Sequence, residues 1–169
     1  GGEKLSNYRS DVPEGTIGES WDVSAQESGM SVVENGKLAG KTLKELTEMY
    51  PQQILGEKIE SEEFPLLVKI IDAQSQLSIQ VHPDDDYTVN MEGEAGKTEA
   101  WYVIDAEEDS YLVIGTKDCT ESDFKKAVQN DEINQYVNKV KVKKGDVFFI
   151  KAGLLHAIGA GIMLAEVQQ

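Results

Sequence analysis

The chain of 169 residues contains only two histidines, His82 and His156, and each stands beside groups able to bind cations. His82 closes the run Leu77-Ser78-Ile79-Gln80-Val81-His82 before Pro83. Alternate side chains of a strand point to opposite faces. Leu77, Ile79 and Val81 therefore form an apolar face, and Ser78, Gln80 and His82 a polar one. A polar row turned inward needs partners, because buried polar groups without them are costly; a metal ion or a bound ligand would supply them. A row turned outward would need nothing. In Lys97-Thr98-Glu99-Ala100-Trp101 the same alternation sets Lys97, Glu99 and Trp101 on one face. Glu99 there offers negative charge to a divalent cation, or else simply adds to a surface rich in acids. His156 ends the stretch from Gly145, which reads as a turn, an apolar strand, a second turn and then the imidazole. A solitary histidine of this kind is more often structural than ligating. Two imidazoles, an amide and a carboxylate on separate strands favour a metal centre.

The chemistry of such a centre follows from its donors. Zinc takes nitrogen and oxygen ligands at about 2.0–2.2 Å, and catalytic sites leave one position open. One carboxylate against a dication leaves net positive charge, suited to polarising a carbonyl and its neighbouring hydroxyl. Iron, manganese, cobalt and nickel accept the same donors, so zinc is a preference among several. Thiolates play no part: Cys119 is the single cysteine. It excludes an internal disulfide and a multi-thiolate site, and it fits a reducing, cytoplasmic setting.

The elements that must position these residues are mostly strands. Leu66–Asp72, Leu77–His82, Glu99–Ile104, Tyr111–Ile114, Val140–Val142, Val147–Ile150 and Ile162–Val167 are rich in Val, Ile and aromatics. Gly145-Asp146 and Gly159-Ala160-Gly161 supply turns. The first forty residues are rich in Gly and Ser, with strand-like pieces at Ser20–Ser24 and Ser31–Val33. A helix is expected from Thr42, where Thr42-Leu43-Lys44-Glu45 is a capping-box pattern and Pro51 should end the run. Helical periodicity returns at Ser122–Asn130 and around Ile133–Val137. Helices do not alternate with strands, so the pattern predicts a sandwich or barrel rather than a parallel α/β sheet.

Composition narrows the partners. Sixteen basic against 31 acidic residues give a formal charge of −15, which repels phosphate backbones and argues against nucleic acid. A small phosphorylated ligand stays compatible, because a local lysine cluster or a cation inverts the field within a cleft. No apolar run approaches the roughly 18 residues a membrane span requires. The chain opens Gly1-Gly2, with no signal-peptide pattern, as if its native start had been trimmed.

Several segments together resemble a known family. Gly145 to His156 looks like the second motif of the cupin superfamily, with Lys151 where a Pro is usual. Gln80-Val81-His82 replaces the H-x-H of the first. That combination, with Ile17-Gly18-Glu19-Ser20-Trp21, Lys97-Thr98-Glu99, His156-Ala157-Ile158-Gly159 and the closing Ala165-Glu166-Val167-Gln168-Gln169, resembles the type I phosphomannose isomerases of the short bacterial branch. The resemblance runs in order through nearly the whole chain. It implies an all-β cupin jelly-roll barrel with a few short helices, as one catalytic domain over 1–169: an N-terminal part, 1–63, and a barrel core, 64–169. It further implies that Gln80, His82, Glu99 and His156 hold one Zn2+. Ser78, Lys97 and Lys69 would line the sugar-phosphate cleft, and Lys97 and Glu166 would act in catalysis. In the family a segment with an Arg, and a second, smaller β-domain, follow the closing Gln-Gln, so the chain is expected to be a fragment.

The activity implied is zinc-dependent interconversion of mannose 6-phosphate and fructose 6-phosphate through an enediol. Two other readings are open. One is an iron-dependent cupin oxidoreductase or dioxygenase, which the two histidines and one carboxylate would suit and the extra Gln does not. The other is a non-catalytic sugar-binding cupin module, which would bind ligand without turnover.

Overall fold

A computed structural model describes residues 1–59, 61, 63–84 and 96–169; the expected acidic turn at 61–63 lies partly outside them. The strands, in chain order, are β1 (Glu19–Val23), β2 (Leu67–Ala73), β3 (Glu99–Ala106), β4 (Tyr111–Thr116), β5 (Val137–Lys141), β6 (Val147–Ile150), β7 (His156–Ile158) and β8 (Ile162–Gln168). The α-helices are α1 (Leu43–Met49), α2 (Pro51–Leu55) and α3 (Glu121–Gln129). All strand pairs are antiparallel. They form a five-stranded sheet in the order β1-β2-β8-β3-β6 and a three-stranded sheet in the order β5-β4-β7.

The two sheets bury a common core. Ile71, Trp101, Val103, Ile162 and Leu164 of the larger sheet meet Leu112 and Ile158 of the smaller. Register across the larger sheet sets two inward rows that matter for the site. One is Leu67, Gln168, Glu99, Ile150; the next is Trp21, Lys69, Glu166, Trp101, Phe148. Because strand side chains have period two, residues 99 and 101 on β3 and 166 and 168 on β8 share the inward face.

The helices follow their local chemistry. Thr42 caps α1: its hydroxyl accepts from the Glu45 N–H at 3.1 Å, and the Glu45 carboxylate accepts from the Thr42 N–H at 2.8 Å. Pro51 does not simply end the run. It occupies the first turn of α2, where a missing N–H costs nothing and the fixed φ suits a helix. Around α3, Phe124 packs against a second core of Val113, Val137, Leu155 and Ala157.

Three expectations are corrected. Ser31–Val33 contributes only a bridge between Val32 and Thr42. Ile133–Gln135 is a 3-10 turn, and Val137 already belongs to β5. The 77–82 segment is extended beside β7 without forming a regular ladder. Leu77 N–H donates to the Ile158 carbonyl and Gln80 N–H to that of His156, so three steps on one side match two on the other. That one-residue excess is the signature of a bulge, which breaks the alternation expected there. Leu77 is accordingly exposed, as are Ser78 and Gln80. β7 itself is a strand of three residues, too short for an apolar pattern to announce it. No helix is long and apolar enough to cross a membrane among the described residues.

Candidate metal centre

His82, Glu99 and His156 converge although they come from three separate stretches of chain. One ligand atom from each lies within 4.8 Å of the others. Glu99 stands at the start of β3, with its side chain fully buried, and His156 opens β7, 1% exposed. His82 Nε2 is 3.2 Å from Glu99 Oε1, and His156 Nε2 is 3.7 Å from Glu99 Oε2. The imidazole centroids are 5.0 Å apart, and Trp101 meets the His156 ring edge-on at 5.4 Å.

The protonation pattern suits a cation. His156 Nδ1 lies 2.7 Å from the Leu154 carbonyl. A carbonyl only accepts, so Nδ1 carries the proton and Nε2 presents a lone pair to the centre. Burial, reinforced by the charge of Lys97, holds His82 below the ordinary imidazole value, and the opposing pull of Glu99 is weaker. Its neutral form, the one that ligates, is therefore favoured. Lys97 Nζ is 2.9 Å from Glu99 Oε1, an ion-pair distance without the angles of a hydrogen bond. His82 Nε2, Glu99 Oε1 and His156 Nε2 are all buried with no hydrogen-bond partner. Three inward-facing ligand atoms without a hydrogen-bond partner fit a divalent ion held by two neutral imidazoles and a carboxylate.

Behind the centre runs a polar chain. Trp101 donates its indole N–H to Glu99 Oε2 at 3.1 Å and to Glu166 Oε2 at 2.9 Å. Lys69 Nζ is 3.8 Å from Glu166 and 3.8 Å from Glu19, and it lies over the Trp21 ring. Burial and then the charge of Glu99 push the Glu166 carboxyl up, against the pull of Lys97, Lys69 and the indole N–H.

The site thus gathers Lys69, Lys97, Glu99, Glu166, His82 and His156. Gln80 sits next to the centre through its backbone, exchanging both N–H···O bonds with His156, while its side chain is exposed. Ser78 lies further out on the same segment. Two further contributors are Trp101 and Gln168. Trp101 shares Glu99's face by alternation, and its indole was an available donor. Gln168 follows Glu166 by two, so it shares that inward face.

Comparison with known proteins gives the family. Residues 4–113 match the family model described as phosphomannose isomerase type I, catalytic domain. The chain belongs to the type I phosphomannose isomerase family. It is 41% identical over 170 residues to mannose-6-phosphate isomerase ManA of Bacillus subtilis (strain 168), covering all of this chain and 53% of that protein. The crystal structure of mannose 6-phosphate isomerase from Bacillus subtilis superposes with a TM-score of 0.91 at 36% identity, covering all of this chain and 54% of that one. A zinc-bound holo mannose 6-phosphate isomerase shares the fold, with a TM-score of 0.63 at 17% identity over 89% of this chain and 59% of that one. The chain spans about half the length of the curated relatives it matches.

Proposed function

We propose that this chain forms the metal-holding part of a zinc-dependent aldose–ketose isomerase that interconverts mannose 6-phosphate and fructose 6-phosphate. The observation that carries the reading is the convergence of three buried ligand atoms without hydrogen-bond partners, on His82, Glu99 and His156, within a chain of the phosphomannose isomerase family. Zinc is chosen because the donors are nitrogen and oxygen and a structural relative is a zinc-bound isomerase. Gln80, adjacent to His156 through its backbone, is assigned as the fourth ligand. The antiparallel sheets fit a cupin-type jelly roll over 1–169, with 64–169 as barrel core, and the single cysteine fits the cytoplasm.

Isomerisation moves a proton between C1 and C2 of the sugar through an enediol. When bound, the zinc would supply fixed positive charge against the negative charge that develops on the sugar oxygens. The chain's own residues do the rest. Lys97 and Lys69 bring positive charge to the cleft of a chain whose formal charge is −15, which favours a phosphorylated ligand. Ser78 offers a hydroxyl at the rim. Lys97 and Glu166 flank Glu99 within one interior and are assigned to hold or move protons, Glu166 with a carboxyl that burial has made less acidic. Two histidines and a carboxylate are also the donor set of iron oxygenases; family membership weighs against that chemistry here.

The test is metal loading followed by turnover. The reading expects one zinc per chain by elemental analysis and loss of isomerase activity of the full-length protein on exhaustive chelation, restored by zinc. Activity that persists with no metal present would defeat it.

A further inference from the structure

Four buried side-chain polar atoms lack a hydrogen-bond partner among the described residues, and three of them are the donors of the metal centre. The fourth is Gln168 Oε1. Gln168 is 9% exposed and pairs directly across the sheet with Glu99, so their Cβ atoms stand about 4.5–5.5 Å apart on the same inward face. Its own amide nitrogen is turned to the Gln169 carbonyl at 3.4 Å, which leaves the oxygen end to the interior.

Among the described residues no neighbour supplies a donor. Within its row Gln168 lies between Leu67, which is apolar, and Glu99, whose carboxylate accepts from Trp101. In the next row the Trp101 N–H is spent on Glu99 and Glu166, and Lys69 faces Glu166 and Glu19. An acceptor buried without a donor costs about 1–3 kcal/mol, so a donor from outside the described residues is expected to meet it, and its place across the sheet from Glu99 of the metal centre points to a bound molecule. Beside a metal centre read as binding a sugar, such a donor is at hand. A hydroxyl fits.

We infer that Gln168 is a binding residue for the sugar, its Oε1 accepting a hydrogen bond from a hydroxyl of the substrate held at the centre. The inference rests on the sugar-phosphate reading above. An amide does not titrate, so it accepts at any pH and adds no charge beside Glu99, a role a second carboxylate would fill at the cost of repulsion.

The experiment measures binding of mannose 6-phosphate to the zinc-loaded full-length protein by tryptophan fluorescence, for wild type, Gln168→Met and Gln168→Leu. Melting temperature of the metal-free chain and zinc content are measured alongside. Both variants should keep their zinc and melt at or above the wild-type temperature, because the unpaired oxygen is gone. Their dissociation constants should rise at least about fivefold. Wild-type affinity in both variants would overturn the assignment. So would a lower melting temperature, since the amide would then be satisfied inside the fold. Absence of binding by wild type itself would overturn the sugar-phosphate reading, and this assignment with it.

Discussion

Glu99 and Glu166 share a single hydrogen-bond donor, the indole N–H of Trp101, at 3.1 and 2.9 Å. Two carboxylates on adjacent strands are thereby held to one neutral group. Lys97 lies at the Glu99 end and Lys69 at the Glu166 end. The indole anchors Oε2 of Glu99, the oxygen nearer His156, and leaves Oε1 to His82 and Lys97.

Removing that donor should be felt in stability before chemistry. Trp101→Phe keeps most of the buried ring but strands two carboxylate oxygens in the core. A loss of about 2 kcal/mol or more is expected, or roughly 4–8 °C in melting temperature for a chain of this size. Thermal unfolding followed by circular dichroism measures it. An unchanged melting temperature would mean that neither carboxylate depends on the indole.

Glu166 gives a pH signature. Its carboxyl is raised above the ordinary value of 4.5, first by burial and next by the charge of Glu99. A raised carboxyl contributes stability that is complete below 4.5 and is lost as pH rises through the folded value, because the unfolded chain then binds fewer protons than the native one. Glu166→Gln carries no such loss. In metal-free protein the variant should therefore gain melting temperature relative to wild type at pH 7, and the gain should shrink toward pH 4. Equal differences at both pH values would refute it.

The ligand set predicts graded metal loss. His82→Ala and His156→Ala should each weaken zinc binding at least about 100-fold, more than a typical outer-shell change; Gln80→Ala should weaken it less. His82 is held below 6.5, chiefly by burial, so protons compete poorly for its nitrogen. Proton competition at this nitrogen should therefore contribute little to any fall in zinc uptake between pH 7.5 and pH 6.5. Competition with a chromogenic chelator reads both effects, and full zinc content in the two histidine variants would dismantle the site.

Thr42→Ala serves as a change remote from the site. Loss of its cap on α1 should cost about 1 kcal/mol, roughly 2–4 °C, with zinc content unaffected. A change in metal affinity would show that α1 is coupled to the centre in a way its position does not suggest.

Much of this site was legible because strands alternate. Period two placed Lys97, Glu99 and Trp101 on one face, and the capping box marked the start of α1. What failed, failed for local reasons. Pro51 is equally at home after one helix and in the first turn of the next, and the sequence contains both options. A bulge within 77–80 cannot be read from residue types, so the alternation there overstates how inward Ser78 and Gln80 face. β7 is three residues long and carries no period at all. Nor could residue types show that Trp101 divides its one proton between two acids, which is a matter of register between β3 and β8.

Glu99 belongs to the five-stranded sheet, whereas His156 lies in the three-stranded one and His82 runs beside it. A cation gripped by all three is a clasp fastening one layer to the other. Any opening that parts the layers must then release the ion first, and amides on β3 and β7 should slow their exchange with solvent in step when zinc is added.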